Sequence, residues 1–219
     1  MAAPTVVCVL RTQPGLSSGV YKPEHVVHLL AQIERHWPYT ACSLRCVVLT
    51  DQVLGLGVEE RPLDCPWPGW WAKMMCFAPQ HNDLGAILYF DLDTVVVGAL
   101  DGIAAVRGLT MLRDFYTPTA LGSGLMLLPA EVRPAVWETW MRSANVMQRK
   151  YRGDQNFLAA QWPDASVQRW QDVVPGAVVS YKCHVKGPRR RPAEARVVCF
   201  HGRPKPWEVQ RKDWLVCGS

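Results

Sequence analysis

Residues 85–94, GAILYFDLDT, contain an apolar run that leads directly into two acidic residues. The run has no polar alternation, which is typical of a strand buried on both faces of a sheet. Asp91 and Asp93 follow at positions i and i+2, so both carboxylates point to one side while Leu92 points into the core. A solvated turn would show the same acidic pair, but its position after a buried strand favours an oxygen-rich site for Mn²⁺ or Mg²⁺.

Similar apolar runs alternate with helical patterns through the first two thirds of the chain. A helix is predicted from Pro23 to the residue before Pro38, a short one through residues 72–79, the longest one over 131–150, and another opening at Asp154. The alternation predicts an α/β fold with a mostly parallel central sheet. Further strands are predicted at TVVCVL (5–10), CVVL (46–49), LTMLRDF (109–115), GLMLLPA (124–130) and RVVCF (196–200).

Polar side chains follow several of these strands. Arg11, Asp51, the Asp91–Asp93 pair and His201 each come directly after an apolar run. Ligands bind beyond the carboxyl ends of the strands in sheets of this class. We therefore expect these side chains to gather at one edge of the sheet.

Composition limits the classes of protein to which the chain could belong. The 219 residues are 49% hydrophobic and 20% charged, which is a globular balance and fits a single domain over 1–219. The formal charge of +5 suits an anionic ligand and does not require nucleic acid. Neither a signal peptide nor an 18-residue apolar span is recognised. The eight cysteines form no C-x-x-C pair, and we expect buried free thiols in a reducing, cytoplasmic compartment.

A second polar cluster, CFHGRPKPW, occupies residues 199–207. His201 can supply a neutral imidazole as a third metal ligand, which suits Mn²⁺ better than Mg²⁺. Gly202 allows a close approach of the backbone to a phosphate, and Lys205 can place a compact cation on a diphosphate. A surface loop with an ordinary histidine is the alternative, and the clustering after a buried strand argues against it.

Taken together, YFDLDT, GSGLMLLP, GDQNFL and HGRPKPW resemble the motifs of the glycogenin-like branch of the GT-A glycosyltransferases. The similarity covers most of the chain in the right order, and GWWAK, LRDFY and SYK resemble segments of compact bacterial enzymes of that type. The resemblance implies a GT-A-like domain, a UDP-sugar donor, a glycan, lipid or protein acceptor, and retention of anomeric configuration. The terminal motif is shorter here, since Gly202 directly follows His201.

The resemblance also implies roles for individual residues. Asp91, Asp93 and His201 would bind the metal, and Lys205 would stabilise the leaving diphosphate. Asp154 and Gln155 would face the sugar and its acceptor; Asp154 is the nearest candidate nucleophile, and a front-side mechanism without one is equally open. The donor would be contacted by Leu10, Arg11, Tyr21, Lys73, Asp91, Leu92, Ser123, Gly124, Gly202 and Lys205.

Two other functions remain open from the residues. YFDLDT also matches the D-x-D-x-T pattern of haloacid-dehalogenase-like phosphohydrolases, in which Asp91 would be the nucleophile. That mechanism needs a later acidic pair, and GDQNF offers only Asp154. In a non-catalytic basic binding module, the acidic pair would be structural.

Two further segments have alternative interpretations. Trp67, Trp70 and Trp71 could stack on an acceptor or pack in the core. The basic stretch from Lys182 to Arg191 is expected to be a solvated, mobile loop that closes over a substrate, with contact to an anionic acceptor or membrane surface as the alternative.

Overall fold

The computed structural model describes residues 3–12, 21–39, 43–163 and 166–209. Its central sheet has seven strands in the order β3-β2-β1-β4-β7-β6-β8. The pairs β3–β2, β2–β1, β1–β4 and β6–β8 are parallel, whereas β7 runs antiparallel to both of its neighbours. The strands are β1 Thr5–Leu10, β2 Cys46–Thr50, β3 Glu59–Pro62, β4 Ile87–Phe90, β6 Thr110–Arg113, β7 Leu121–Leu128 and β8 Gln168–Arg169.

A small second sheet carries the C-terminal motif to the site. It has the order β5-β10-β9, with β5 Thr94–Val96, β9 Val178–Ser180 and β10 Val197–Cys199. Strand β5 follows the Asp91–Asp93 pair directly, and β10 pairs with it antiparallel. Because β10 pairs with β5, the chain that follows Cys199 lies beside Asp93. There the amide of Phe200 donates a hydrogen bond to the Asp93 carbonyl at 3.1 Å.

Helices and helical turns cover both faces of the central sheet. The α-helices are α1 Pro23–His36, α2 Asp101–Ala105, α3 Arg133–Arg142, α4 Ala144–Lys150, α5 Asp154–Ala159 and α6 Trp170–Val173. A 3₁₀ segment runs over Gly69–Phe77, and a π-helical turn over Tyr181–Val185. None of the helices in the described ranges is long and apolar enough to cross a membrane.

The predicted α/β class and mostly parallel sheet are confirmed, and two local predictions are wrong. The helix expected over 131–150 is broken at Ser143, whose backbone adopts φ −166° and ψ 62°. The Ser143 amide ends α3 by donating to the Trp140 carbonyl, and its own carbonyl accepts from Val146 and Met147 to start α4. Serine favours helix ends over helix interiors, in agreement with its position between the two helices. The helix expected through 72–79 is a 3₁₀ segment.

The tryptophans of the PWPGWW loop divide between core and surface. Trp71 stacks on Trp140 at a centroid distance of 5.1 Å, and Trp67 meets the same ring edge-on. Both are buried, whereas Trp70 keeps 38% of its surface exposed. Only Trp70 is therefore available to a ligand.

The cysteines in the described ranges are free thiols. Cys8, Cys76 and Cys199 are buried as expected, and burial raises the pKa of each thiol. Cys183 is exposed, so the expectation of burial is wrong there, because it lies on the outer side of the π-helical turn. Cys42 and Cys217 lie outside the described residues.

Candidate active site

A cavity of 1070 Å³ opens beyond the carboxyl ends of β1 and β4. It is lined by every site residue predicted from the sequence except Leu10. Leu10 is fully buried, because side chains alternate along β1 and Leu10 shares the face of Val6 and Cys8. The Leu10 side chain therefore does not line the cavity, and the position of Leu10 beside the nucleotide base stays a prediction. The predicted residues in the lining are Arg11, Tyr21, Lys73, Asp91, Leu92, Asp93, Ser123, Gly124, Asp154, Gln155, His201, Gly202 and Lys205.

The Asp91 carboxylate is held by two neighbours. Its Oδ1 accepts a 2.6 Å hydrogen bond from the Tyr89 hydroxyl and lies 3.1 Å from the Nζ of Lys73. The Asp91 amide donates to the carbonyl of Gly124 at 2.9 Å. A Cβ on Gly124 would lie 3.3 Å from Asp91 Oδ2, so glycine keeps space beside the carboxylate. The contact of Tyr89 with Asp91 was not predicted from the sequence, because Tyr89 lies within an apolar run that is typical of a buried strand.

Lys73 joins the two sides of the cavity. Its Nζ lies 2.8 Å from Asp154 Oδ2 and donates to Ser123 Oγ at 3.0 Å. Ser123 Oγ in turn donates to Asp154 Oδ2 at 2.6 Å. Burial would lower the pKa of Lys73, but Asp154 and Asp91 outweigh burial and hold it above its ordinary value. The wall thus contains a buried ammonium neutralised by two carboxylates.

Asp93 has a different cationic partner. Its Oδ2 lies 2.5 Å from the Nζ of Lys205, which also donates to the Tyr21 hydroxyl at 2.8 Å. Burial, together with the neighbouring Asp91 charge, raises the pKa of Asp93 to about 6, although Lys205 opposes the shift. The motif beyond Lys205 is packed against the start of α1, because Trp207 stacks on His25 at 3.6 Å.

His201 reaches the same cavity from β10. Its Nε2 lies 2.7 Å from the Oγ of Ser180, and its ring stacks on Phe115. Burial, followed by the Lys182 charge, lowers the pKa of His201 and favours the neutral ring. Within the part of the chain that the structure describes, no three His, Cys, Asp or Glu side chains are grouped to hold a metal. The three-ligand set of Asp91, Asp93 and His201 therefore stays a prediction.

The acidic pair nevertheless fits a divalent cation. Asp91 and Asp93 both face the cavity, and the crowding of their charges contributes to the raised pKa of Asp93. Carboxylate oxygens are the ligands that Mg²⁺ and Mn²⁺ prefer, and a cation between the two groups would relieve their repulsion.

Comparison of the whole structure with solved structures finds glycosyltransferases. GlyE of Streptococcus pneumoniae TIGR4 matches with a TM-score of 0.62 and 15% identity over 93% of this chain. The galactosyltransferase LgtC, solved with donor and acceptor sugar analogs, matches with a TM-score of 0.59 and 14% identity over 93% of this chain. The bifunctional glycosyltransferase WbbM matches with a TM-score of 0.62 and 13% identity over 97%. The chain has a GT-A-like glycosyltransferase fold.

This GT-A-like chain spans only part of some of these proteins. It covers 56% of GlyE and 48% of WbbM, but 89% of LgtC. No family model and no curated protein matches its sequence. Identities this low establish a shared fold and leave the activity to be argued from the site.

Several residues of the GT-A-like cavity lie outside the predicted site, and among them Trp70 was considered as a residue that could stack on an acceptor. Trp70 and Arg152 line the cavity next to Asp154, whereas Phe115, Tyr116 and Lys182 line it next to His201. Arg152 belongs to no motif, because isolated arginine residues occur on any surface. Tyr116 was quoted only within the LRDFY segment, and Lys182 only within the SYK segment and the basic stretch.

The basic stretch is only partly the solvated loop that was expected. Lys186, Arg189 and Arg190 are exposed, but Val185 and Arg191 are buried, and Arg191 donates to the Ala195 carbonyl at 2.8 Å. Tyr181 stacks on Phe200 at 4.3 Å, which fastens the start of the stretch to β10. The solvated part is thus confined to a short central piece, and its closure over a substrate stays a prediction.

Proposed function

We propose that this chain is a metal-dependent glycosyltransferase that moves a sugar from a UDP-sugar donor to a glycan, lipid or protein acceptor. The observation that carries the proposal is that the acidic pair Asp91 and Asp93 and the Lys73–Asp154 ion pair line the same cavity. That cavity lies beyond the carboxyl ends of the parallel strands of a GT-A-like fold. Ligand sites of open α/β sheets occur at that edge.

The donor half of the cavity is assigned to the β1 and β4 ends. Arg11 follows β1, where its guanidinium is steadied by the Cys65 carbonyl at 2.8 Å and by Asp51. Lys205 and Gly202 lie on the C-terminal side, beside Asp93. A nucleotide held between these groups would put its diphosphate at the acidic pair.

The acidic pair carries the proposed metal dependence. Bound there, Mn²⁺ or Mg²⁺ would stabilise the negative charge of the leaving diphosphate. Asp91 would bind the metal, and its contacts with Tyr89 and Lys73 would keep the carboxylate oriented. In this structure Asp93 is paired with Lys205, so that Lys205 is already adjacent to the position of the diphosphate.

The acceptor half is assigned to the Asp154 side. Lys73 and Ser123 hold Asp154 by its Oδ2, and these contacts would keep the carboxylate fixed beside a bound sugar. Gln155 follows on α5 and also lines the cavity. Retention of anomeric configuration is proposed from the resemblance of the motifs to glycogenin-like glycosyltransferases, with Asp154 as nucleophile or as the group that stabilises a front-side transfer.

The free thiols support a reducing and therefore cytoplasmic location. Peripheral contact of the exposed basic residues with an anionic membrane is compatible with that location.

The decisive test is turnover of a panel of UDP-sugars with Mn²⁺, measured as hydrolysis to free UDP in the absence of an acceptor. Calorimetry should show UDP binding that is lost when a chelator removes the metal. Equal UDP affinity with and without chelator would contradict the metal bridge. Hydrolysis of an aryl phosphate with a phospho-adduct on Asp91 would instead establish the phosphohydrolase, and anion binding without any turnover would establish the binding module.

A further inference from the structure

Most of the cations that line the cavity are already paired. Lys73 is paired with Asp154 and Asp91, Lys205 with Asp93, Arg113 with Asp172 and Arg11 with Asp51. Within the described ranges, Lys182 and Arg152 are the lining cations with neither an ion pair nor a side-chain hydrogen bond. Arg152 is exposed and adjoins Asp154, whereas Lys182 is half-buried beside His201.

Lys182 is held in place by its backbone rather than by its side chain. It lies in the π-helical turn Tyr181–Val185, which the Ser180 Oγ caps by accepting from the Cys183 amide at 3.1 Å. The flanking Tyr181 and Val185 are both buried. The ammonium therefore projects from a fixed turn into the cavity and forms no ion pair with any residue that the structure describes.

The ammonium points at the backbone of the C-terminal motif. A Cβ on Gly202 would lie 3.3 Å from the Lys182 Nζ, and Gly202 adopts φ +69°, a conformation that L side chains rarely take. A glycine here leaves the space in front of the ammonium open. The nearest acidic pair of the cavity, Asp91 and Asp93, is occupied by the two other lysines.

We propose that Lys182 binds the phosphate groups of the donor, as an anion-binding residue outside the C-terminal motif. A half-buried cation without a partner is stabilised by an anion, and a diphosphate is the anion that this cavity would receive. The inference rests on the proposed function for the identity of the ligand. The charge of Lys205 is neutralised by Asp93, so Lys182 would supply an additional positive charge for binding the diphosphate.

The test compares Lys182→Met with a matched control, Lys186→Met. Methionine retains an unbranched apolar side chain and removes the charged ammonium, and Lys186 is an exposed lysine of the same segment that does not line the cavity. Calorimetric titrations with Mg²⁺ in excess would use UDP, inorganic pyrophosphate and uridine. Thermal unfolding of both variants would verify that they are folded.

For Lys182→Met we expect about tenfold weaker binding of UDP and pyrophosphate, as for loss of one charge-assisted hydrogen bond. Uridine binding should not change, and Lys186→Met should behave as the wild type. The inference would be overturned if Lys182→Met bound pyrophosphate as tightly as the wild type does. It would also be overturned if the wild type bound neither pyrophosphate nor UDP. If the wild type binds pyrophosphate through Lys182 but turns over no UDP-sugar, the proposed function is wrong while the anion site stands.

Discussion

The ammonium of Lys73 lies 2.8 Å from Oδ2 of Asp154, and the two side chains are only 5% and 8% exposed. Lys73 comes from the 3₁₀ segment after the Trp-rich loop, and Asp154 opens α5. Their ion pair joins the proposed donor and acceptor sides of the cavity, so it connects folding stability with function.

Replacing Lys73 by Met should destabilise the protein by about 3–5 kcal/mol, because the buried Asp154 carboxylate loses its cation and the partly exposed Asp91 loses one neighbour. Urea denaturation would measure the change. The double variant Lys73→Met/Asp154→Asn should recover part of the loss, since one of the stranded charges is removed as well. If the double variant is less stable than the sum of the two single changes predicts, the buried pair is not the reason for the effect.

The acidic pair and His201 are expected to act as one unit. Asp91→Asn, Asp93→Asn and His201→Ala should each lower metal-dependent UDP-sugar hydrolysis, and the losses should be non-additive in double variants. Single-turnover assays would measure them. Full activity of His201→Ala, combined with loss of activity and of a phospho-adduct in Asp91→Asn, would show that the enzyme is a phosphohydrolase.

Replacing Trp70 or Trp71 by alanine should affect different properties of the protein. Trp71→Ala removes a buried ring stacked on Trp140 and should cost about 3–5 kcal/mol of stability. Trp70→Ala removes a partly exposed ring of the cavity wall and should leave stability nearly unchanged while raising the KM for the acceptor. Thermal unfolding and steady-state kinetics would separate the two effects. A stability loss of similar size in both variants would contradict the division between core and cavity.

The buried His81 predicts a pH dependence of stability. Burial, followed by the neighbouring charge of Arg61, lowers the pKa of the His81 ring. Below about pH 6.5 the His81 ring binds a proton in the unfolded state, whereas in the folded state it stays neutral to lower pH. The free energy of unfolding should therefore fall as the pH drops. The slope of unfolding free energy against pH should be smaller in His81→Gln than in the wild type.

The control for that measurement is the exposed His28. His28→Gln should keep the wild-type slope, because the ring is exposed on α1. Equal slopes for His81→Gln and the wild type would contradict the prediction. Other buried histidines, such as His25, keep part of the slope in every variant, because burial lowers the pKa of that ring also.

Most of the predicted site could be found in the sequence because strand geometry is local. Apolar runs identify the buried strands that lead to Asp91 and Asp93, whereas the pair itself lies in the turn between β4 and β5, where the Thr94 amide donates to the Asp91 carbonyl at 3.0 Å. The Leu10 side chain lies in the core, because a residue at the end of a strand points to one face or the other, and only the sheet decides which face meets the cavity.

The sequence by itself determined the α/β class, the position of the acidic pair and the motif that carries His201, since each depends on periodicity or on the order of residues along the chain. Only the tertiary structure decided which lysine meets which carboxylate, which tryptophan of the Trp-rich loop stays exposed, and that Lys182 forms no ion pair within the described part of the chain. These outcomes depend on contacts between segments far apart in the chain. Burial and charge pairing at such contacts are set by the packing of the whole fold, and no local pattern encodes them.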